Sequence, residues 1–162
     1  MDANQTKLVP YESIAHLPKM YEGQRTVLVG GCFDIFHFGH LVFLESAKKA
    51  GDVLIILLES DEFIKTSKKR EPVHNQNQRA ALLSKLDFVD KIVLLPHIKG
   101  EEYGKIVSTI RPAVIAVTDG DPYIGEKEKQ AEKIGGTVQI VAPKVPMLST
   151  SQIIHYATIF SD

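Results

Sequence analysis

The chain has 162 residues, 44% hydrophobic and 24% charged, enough for one domain with a sizeable core and ordinary for a soluble globular fold. A formal net charge of −1 argues against a general nucleic-acid binder, and no apolar run approaches the length of a membrane span. The single cysteine, Cys32, excludes an internal disulfide; with a polar N-terminus that lacks the apolar core of a signal peptide, it points to the reducing cytoplasm.

Residues 1–24 read as a leader with a short helix, ahead of a domain spanning 25–162. Pro18 is expected to limit the leader helix, Pro10 to Leu17, because proline cannot continue a helix interior. Thr26-Val27-Leu28-Val29 is short, apolar and β-branched, so it reads as a buried strand, and Gly30-Gly31 breaks it. Leu41 to Ala50 carries apolar residues at helical spacing and stops at Gly51. Asp52 to Leu58 contains a continuous apolar run, the mark of a strand buried on both faces of a parallel sheet. Ser60 to Ile64 begins a short helical turn. The basic run Lys65-Thr66-Ser67-Lys68-Lys69-Arg70 follows without apolar periodicity, and a mobile segment that orders over a ligand is expected there. Asn75 and Gln78 have the spacing of a capping box, opening a helix through Leu86. Strands are expected at Lys91–Leu95, Ala113–Val117 and Thr137–Val141, with helices at Glu101–Ile110 and Glu126–Ile134. Ser149-Thr150-Ser151 caps a last helix from Gln152. The alternation predicts an α/β fold: one Rossmann-like domain with a parallel sheet of about five strands and helices on both faces.

The run Gly30 to His40 carries the chemistry. It places His37, Gly39 and His40 where a helix opens after a strand and a glycine turn. A helix N-terminus offers free N–H groups and a positive dipole end, which suits phosphate. Two imidazoles beside that point can hydrogen-bond phosphoryl oxygens, and Gly39 removes a side chain between them. Their spacing is not that of H-E-x-x-H and no paired cysteines accompany them, so no protein metal ligands are expected. In open parallel sheets ligands bind beyond the carboxyl ends of the strands. Each polar candidate follows a strand: Gly30 to His40, Lys65 to Arg70, Thr118-Asp119-Gly120-Asp121, and Lys144 to Ser151. One common site is therefore expected. The chain lacks G-x-x-x-x-G-K-[ST], which excludes a P-loop kinase, and G-x-G-x-x-G, which argues against a dinucleotide dehydrogenase.

Gly31-Cys32-Phe33-Asp34-Ile35-Phe36-His37-Phe38-Gly39-His40 resembles the G-x-F-D-x-x-H-x-G-H signature of the cytidylyltransferase-like nucleotidyltransferases. That family includes glycerol-3-phosphate and ethanolamine-phosphate cytidylyltransferases, archaeal-type FAD synthases and the adenylyltransferase part of ADP-heptose synthase. The resemblance runs from about Thr26 to Tyr156. It implies transfer of a nucleoside monophosphate from CTP or ATP onto a phosphorylated sugar or polyol, with release of pyrophosphate. The nucleophile, a phosphate oxygen, is already anionic, so such catalysis is mostly positioning and charge stabilisation. The resemblance further implies catalytic roles for His37, His40, Lys65 and Lys68. It implies nucleotide or phosphate contacts for Gly31, Cys32, Phe33, Asp34, Gly39, Arg79, Asp119, Asp121, Lys144, Ser149, Thr150 and Ser151. From its place in the glycine turn, Cys32 reads as a small packing residue rather than a nucleophile. Magnesium bound with the triphosphate, a phosphorylated small-molecule acceptor and a homodimer complete the expectation, with neither nucleic acid nor membrane as partner.

Two branches of the family are echoed. Ser60-Asp61-Glu62-Phe63 is similar to the glycerol-phosphate branch. Arg70-Glu71-Pro72-Val73, and Gly135-Gly136-Thr137-Val138 followed by Ser-Thr-Ser, are similar to the ADP-heptose branch. Lys144 stands where glycerol-phosphate relatives carry an arginine, keeping the charge and losing the bidentate fork, which weakens the case for glycerol phosphate. The choice between CTP and ATP stays open. An FAD-synthase-like adenylyltransferase and a nucleotide-binding domain without turnover are the alternatives.

Overall fold

A computed structural model describes residues 7–143 and 149–159. Six parallel strands, β1 (Leu8–Pro10), β2 (Thr26–Gly31), β3 (Val53–Leu58), β4 (Lys91–Leu94), β5 (Val114–Thr118) and β6 (Thr137–Ala142), form one sheet in the order β1-β4-β3-β2-β5-β6. The helices are α1 (Leu17–Met20), α2 (Phe38–Lys48), α3 (Asp61–Lys68), α4 (Gln76–Ser84), α5 (Glu101–Ile110), α6 (Ile124–Glu132) and α7 (Thr150–Ile159).

The sheet is covered on both faces, and the strand sequences show why. In β3 every residue is buried. Val53, Ile55 and Leu57 join Ile106, Val107 and Ile110 of α5 and Ala131 of α6 in one core. Leu54, Ile56 and Leu58 join Leu44 and Ala47 of α2 and Ala80 and Leu83 of α4 in the other. The two-residue period of a strand thus sends alternate side chains of one apolar run into two separate cores. Leu28 and its neighbours Val27 and Val29 in β2 divide in the same way.

Strand order reverses at β2, which pairs with β3 on one side and β5 on the other. Such a switch point opens a crevice at the carboxyl ends of the central strands. Gly136 lets β6 approach β5 closely: a Cβ there would lie 2.7 Å from the Pro112 carbonyl oxygen.

The expected parallel sheet of about five strands is present and has a sixth, Leu8–Pro10, paired in parallel with Ile92–Leu94 at the sheet edge, a position that tolerates proline. Two expectations change. Pro18 does not limit the leader helix. A 3-10 turn covers Tyr11–His16, and Pro18 sits in the first turn of α1, where its missing N–H has no partner to lose. Lys65-Thr66-Ser67-Lys68 is not a loop but the second half of α3. The Ser60 hydroxyl caps that helix by accepting the Phe63 N–H at 3.1 Å, Ile64 is wholly buried beneath it, and Lys69 ends it in the left-handed conformation at φ 53°.

Candidate active site

A cleft of about 890 Å³ opens at the switch point. Its walls include Gly30 to Phe33 at the end of β2, His40 of α2, Lys68 of α3, Arg70, Asp121 after β5, and Ser149-Thr150-Ser151 at the start of α7. Four segments that follow four different strands thus meet, as expected from the sequence. His37 adjoins the cleft through His40, as described below. Gly39 lies in the first turn of α2 between the two histidines. Asp119 is exposed and off the cleft, and its N–H donates to the Ala142 carbonyl at 3.0 Å. Lys144 lies outside the described residues.

The turn from β2 into α2 is tightly built. A Cβ on Gly31 would lie 2.8 Å from the Phe33 ring, so only glycine fits there without a shift. Phe33 itself is buried and has φ 48°, an unfavourable conformation for a bulky residue that surrounding packing must hold. His37 is the N-cap of α2, and its Nδ1 accepts the His40 N–H at 3.3 Å. That bond assigns the proton of the neutral His37 ring to Nε2. The two rings stack with centroids 3.7 Å apart and planes 19° from parallel, and the Phe33 edge meets His40 at 5.1 Å. Burial lowers the His37 pKa. Burial and then the His37 ring push His40 down to about 4, against a backbone hydrogen bond at Ile35. Both imidazoles are therefore neutral at pH 7, and His40 Nδ1 is buried with no partner among the described residues. The arrangement offers hydrogen-bonding nitrogens at a helix N-terminus.

Asp34 fastens this turn to the segment before α4. Its carboxylate accepts from Arg70 Nη1, from the Val73 N–H at 3.1 Å and from the His74 N–H at 2.9 Å. Burial alone would raise its pKa, but the bonds from His74, Arg70 and Val73 outweigh burial and hold it below the usual carboxylate range. Asp34 is only 1% exposed and does not line the cleft, so the expected nucleotide contact becomes a clasp that presents Arg70 to the cleft wall. Arg79 is a second correction. It is wholly buried, donating from Nε to the His74 carbonyl, from Nη1 to the Cys32 carbonyl at 2.6 Å and from Nη2 to Asp61 at 2.7 Å. Its charge ties α4, the end of β2 and α3 together. The Asn75–Gln78 capping box is present as the spacing predicts.

The two expected lysines part company. Lys68 lines the cleft. Lys65 does not, and its ammonium pairs with Glu71 at 3.1 Å on the exposed side of α3. Asp121 points its carboxylate at α6, accepting the Tyr123 N–H at 2.8 Å and pairing with Lys127 at 2.6 Å. At α7 the Ser149 hydroxyl accepts the Gln152 N–H at 3.2 Å, so Ser149 is the cap, and Thr150 and Ser151 line the cleft beside it. Burial and the nearby Glu59 carboxyl push the Cys32 thiol up to about 11, which makes Cys32 a neutral packing group on the wall.

No local pattern marks Glu59, His97 and Tyr103, which also line the cleft. Glu59 ends an apolar strand, His97 lies in a loop and Tyr103 sits on α5; only tertiary packing brings them together. Burial raises the Glu59 carboxyl to about 7 although Tyr103, Arg79 and Lys127 pull it the other way.

A family model described as cytidylyltransferase-like matches residues 28–159. The FAD synthase of Pyrococcus horikoshii is 35% identical over 144 residues, covering 84% of this chain and 95% of that protein. The bifunctional protein HldE of Campylobacter fetus is 34% identical over 124 residues, covering 76% of this chain. The chain spans only 26% of the length of that bifunctional relative. Among solved structures, a lipopolysaccharide core biosynthesis protein from Thermoplasma volcanium is similar at a TM-score of 0.61 and 30% identity, covering 76% of this chain and 98% of that one.

Proposed function

The chain belongs to the cytidylyltransferase-like nucleotidyltransferases, and on that premise we propose that it moves a nucleoside monophosphate from CTP or ATP onto a phosphorylated sugar or polyol, releasing pyrophosphate. The observation that carries the reading is the stacked pair His37 and His40 at the start of α2, facing a cleft whose wall also holds Lys68 and Arg70. In this reaction an acceptor phosphate oxygen attacks the α-phosphorus, and the bond to the β-phosphate bridging oxygen breaks. The attacking oxygen is already charged, so the protein's task is to align two anions and stabilise the added negative charge. His37 Nε2–H and His40 donate to the triphosphate without adding mobile protons. The N–H groups at the start of α2 add a fixed positive field. Lys68 and Arg70 offset the charge that would otherwise keep donor and acceptor apart, and Thr150 and Ser151 hold phosphate at the start of α7.

Magnesium fits as the companion of the triphosphate. Such ions keep several waters and are bound by phosphates with one or two carboxylates. Asp121 and Glu126 are carboxylates on the cleft wall, and the described residues contain no cluster of three or more metal-ligating side chains. The bound ion would neutralise phosphate charge. The reading includes a homodimer, tested by its mass in solution, and a cytoplasmic location, with which the free thiol of Cys32 is consistent. None of the described helices is long and apolar enough to cross a membrane.

The test is pyrophosphate release from CTP and from ATP, each offered with sugar phosphates, polyol phosphates and flavin mononucleotide. One triphosphate with a sugar or polyol phosphate should give acceptor-dependent release. Release only with flavin mononucleotide would move the assignment to the FAD-synthase type, and none with any pair would remove it.

A further inference from the structure

Glu59 and His97 each bury a polar atom that no described residue satisfies: Oε2 of the carboxyl and Nδ1 of the imidazole. Glu59 is 7% exposed, and its other oxygen accepts the Tyr103 hydroxyl at 2.9 Å. All three side chains line the cleft beyond β3 and β4, with Lys127 of α6 near enough to act on the Glu59 carboxyl. Leu57, Ile98 and Val107 line it with them. Polar atoms left without partners in such surroundings cost free energy, and a ligand that bonds them recovers it.

We propose that this compartment receives the uncharged, hydroxyl-bearing body of the phosphorylated acceptor, with its hydroxyls bonded to Glu59 Oε2 and His97 Nδ1. The inference rests on the cleft being a nucleotidyl-transfer site, and it adds where the acceptor is read and by which atoms. The acceptor's phosphate belongs with His40, Lys68 and Arg70, where the charge is positive. A hydroxyl both donates and accepts, so it matches a protonated carboxyl and an imidazole nitrogen together. A cationic amino-alcohol phosphate does not match. Its ammonium would require an ionised Glu59, whereas burial keeps that carboxyl protonated up to about pH 7. The apolar wall and the Tyr103 ring suit the carbon faces of a sugar or polyol.

Calorimetric titration tests this with the full chain and four ligands: glycerol 3-phosphate, a hexose 1-phosphate, phosphoethanolamine and flavin mononucleotide. Wild type should bind one of the first two tightest. Glu59→Leu should weaken that ligand by about tenfold or more, the loss of one or two buried hydrogen bonds. Glu59→Gln keeps a carbonyl and a donor and should stay within a few-fold of wild type. Triphosphate affinity should not change in either variant. His97→Ala gives a second reading should Glu59→Leu fold poorly, and about a tenfold loss is expected there too. Unchanged acceptor binding in the Leu variant overturns the proposal. So does equal loss in the Gln and Leu variants, or preference for phosphoethanolamine or flavin mononucleotide. Pyrophosphate release from the same samples separates the two claims: the expected binding pattern without release from any triphosphate would reject the transfer reaction and leave the compartment standing.

Discussion

The stacked rings of His37 and His40 cannot both carry charge at 3.7 Å, and burial keeps them neutral. In the proposed reaction their role is that of fixed hydrogen-bond donors rather than proton carriers. His37→Ala or His40→Ala should lower turnover by roughly two to four orders of magnitude, as expected for losing a positioned transition-state stabiliser. Stopped pyrophosphate assays check this, and normal turnover in either variant would displace the site. Stability should respond to pH in two opposed ways. Between about 4 and 6.5 the unfolded chain protonates His40 and the folded chain does not, so this contribution falls as pH drops through that window. For Glu59 the folded carboxyl holds its proton up to about 7 and the unfolded one releases it near 4.5, so stability is lost as pH rises across that range. Glu59→Gln should abolish the second effect. Measured by urea unfolding, the variant should gain roughly 1–3 kcal/mol on wild type from pH 4.5 to 7 and level off above. A difference that does not move with pH would mean that Glu59 is ionised in the fold.

Helix starts do much of the positioning. The His37 cap fixes the first turn of α2, and Ser149 fixes the first turn of α7. At α7 the cap, Ser149, and the phosphate ligand proposed, Thr150, are different residues, so the two roles can be separated. Ser149→Ala should lower the melting temperature, in line with a cap of about 1 kcal/mol. Thr150→Ala should lower kcat/KM about tenfold or more with little change in melting. Unchanged kinetics in Thr150→Ala would leave α7 a structural helix only. The strand, double glycine and histidine pair were readable because each is a local pattern within fifteen residues. The helical nature of Lys65 to Lys68 was not, because a single buried side chain, Ile64, anchors α3 and leaves no periodicity among the lysines. The burial of Arg79 was not readable for a related reason: the Cys32 carbonyl and Asp61, which close over it, come from segments distant in sequence.

Over the whole molecule, the alternation of apolar runs with helices was enough to give the parallel sheet, and the carboxyl-end rule was enough to gather the polar segments into one cleft. The edge strand Leu8–Pro10 escaped because three residues containing a proline show no alternation. Glu59, His97 and Tyr103 escaped because their proximity exists only after β3, β4 and α5 have packed. The same topology brings cationic and imidazole groups from α2, α3 and the segment after α3 to one stretch of cleft, where the proposed reaction would cut a triphosphate between its α- and β-phosphorus atoms. The most direct measurement follows the label. The enzyme is incubated with its acceptor and with triphosphate labelled either at the α- or at the γ-phosphate. The α label should enter the acceptor product and the γ label should leave as pyrophosphate. A γ label found on the acceptor would show phosphoryl transfer instead and contradict the account.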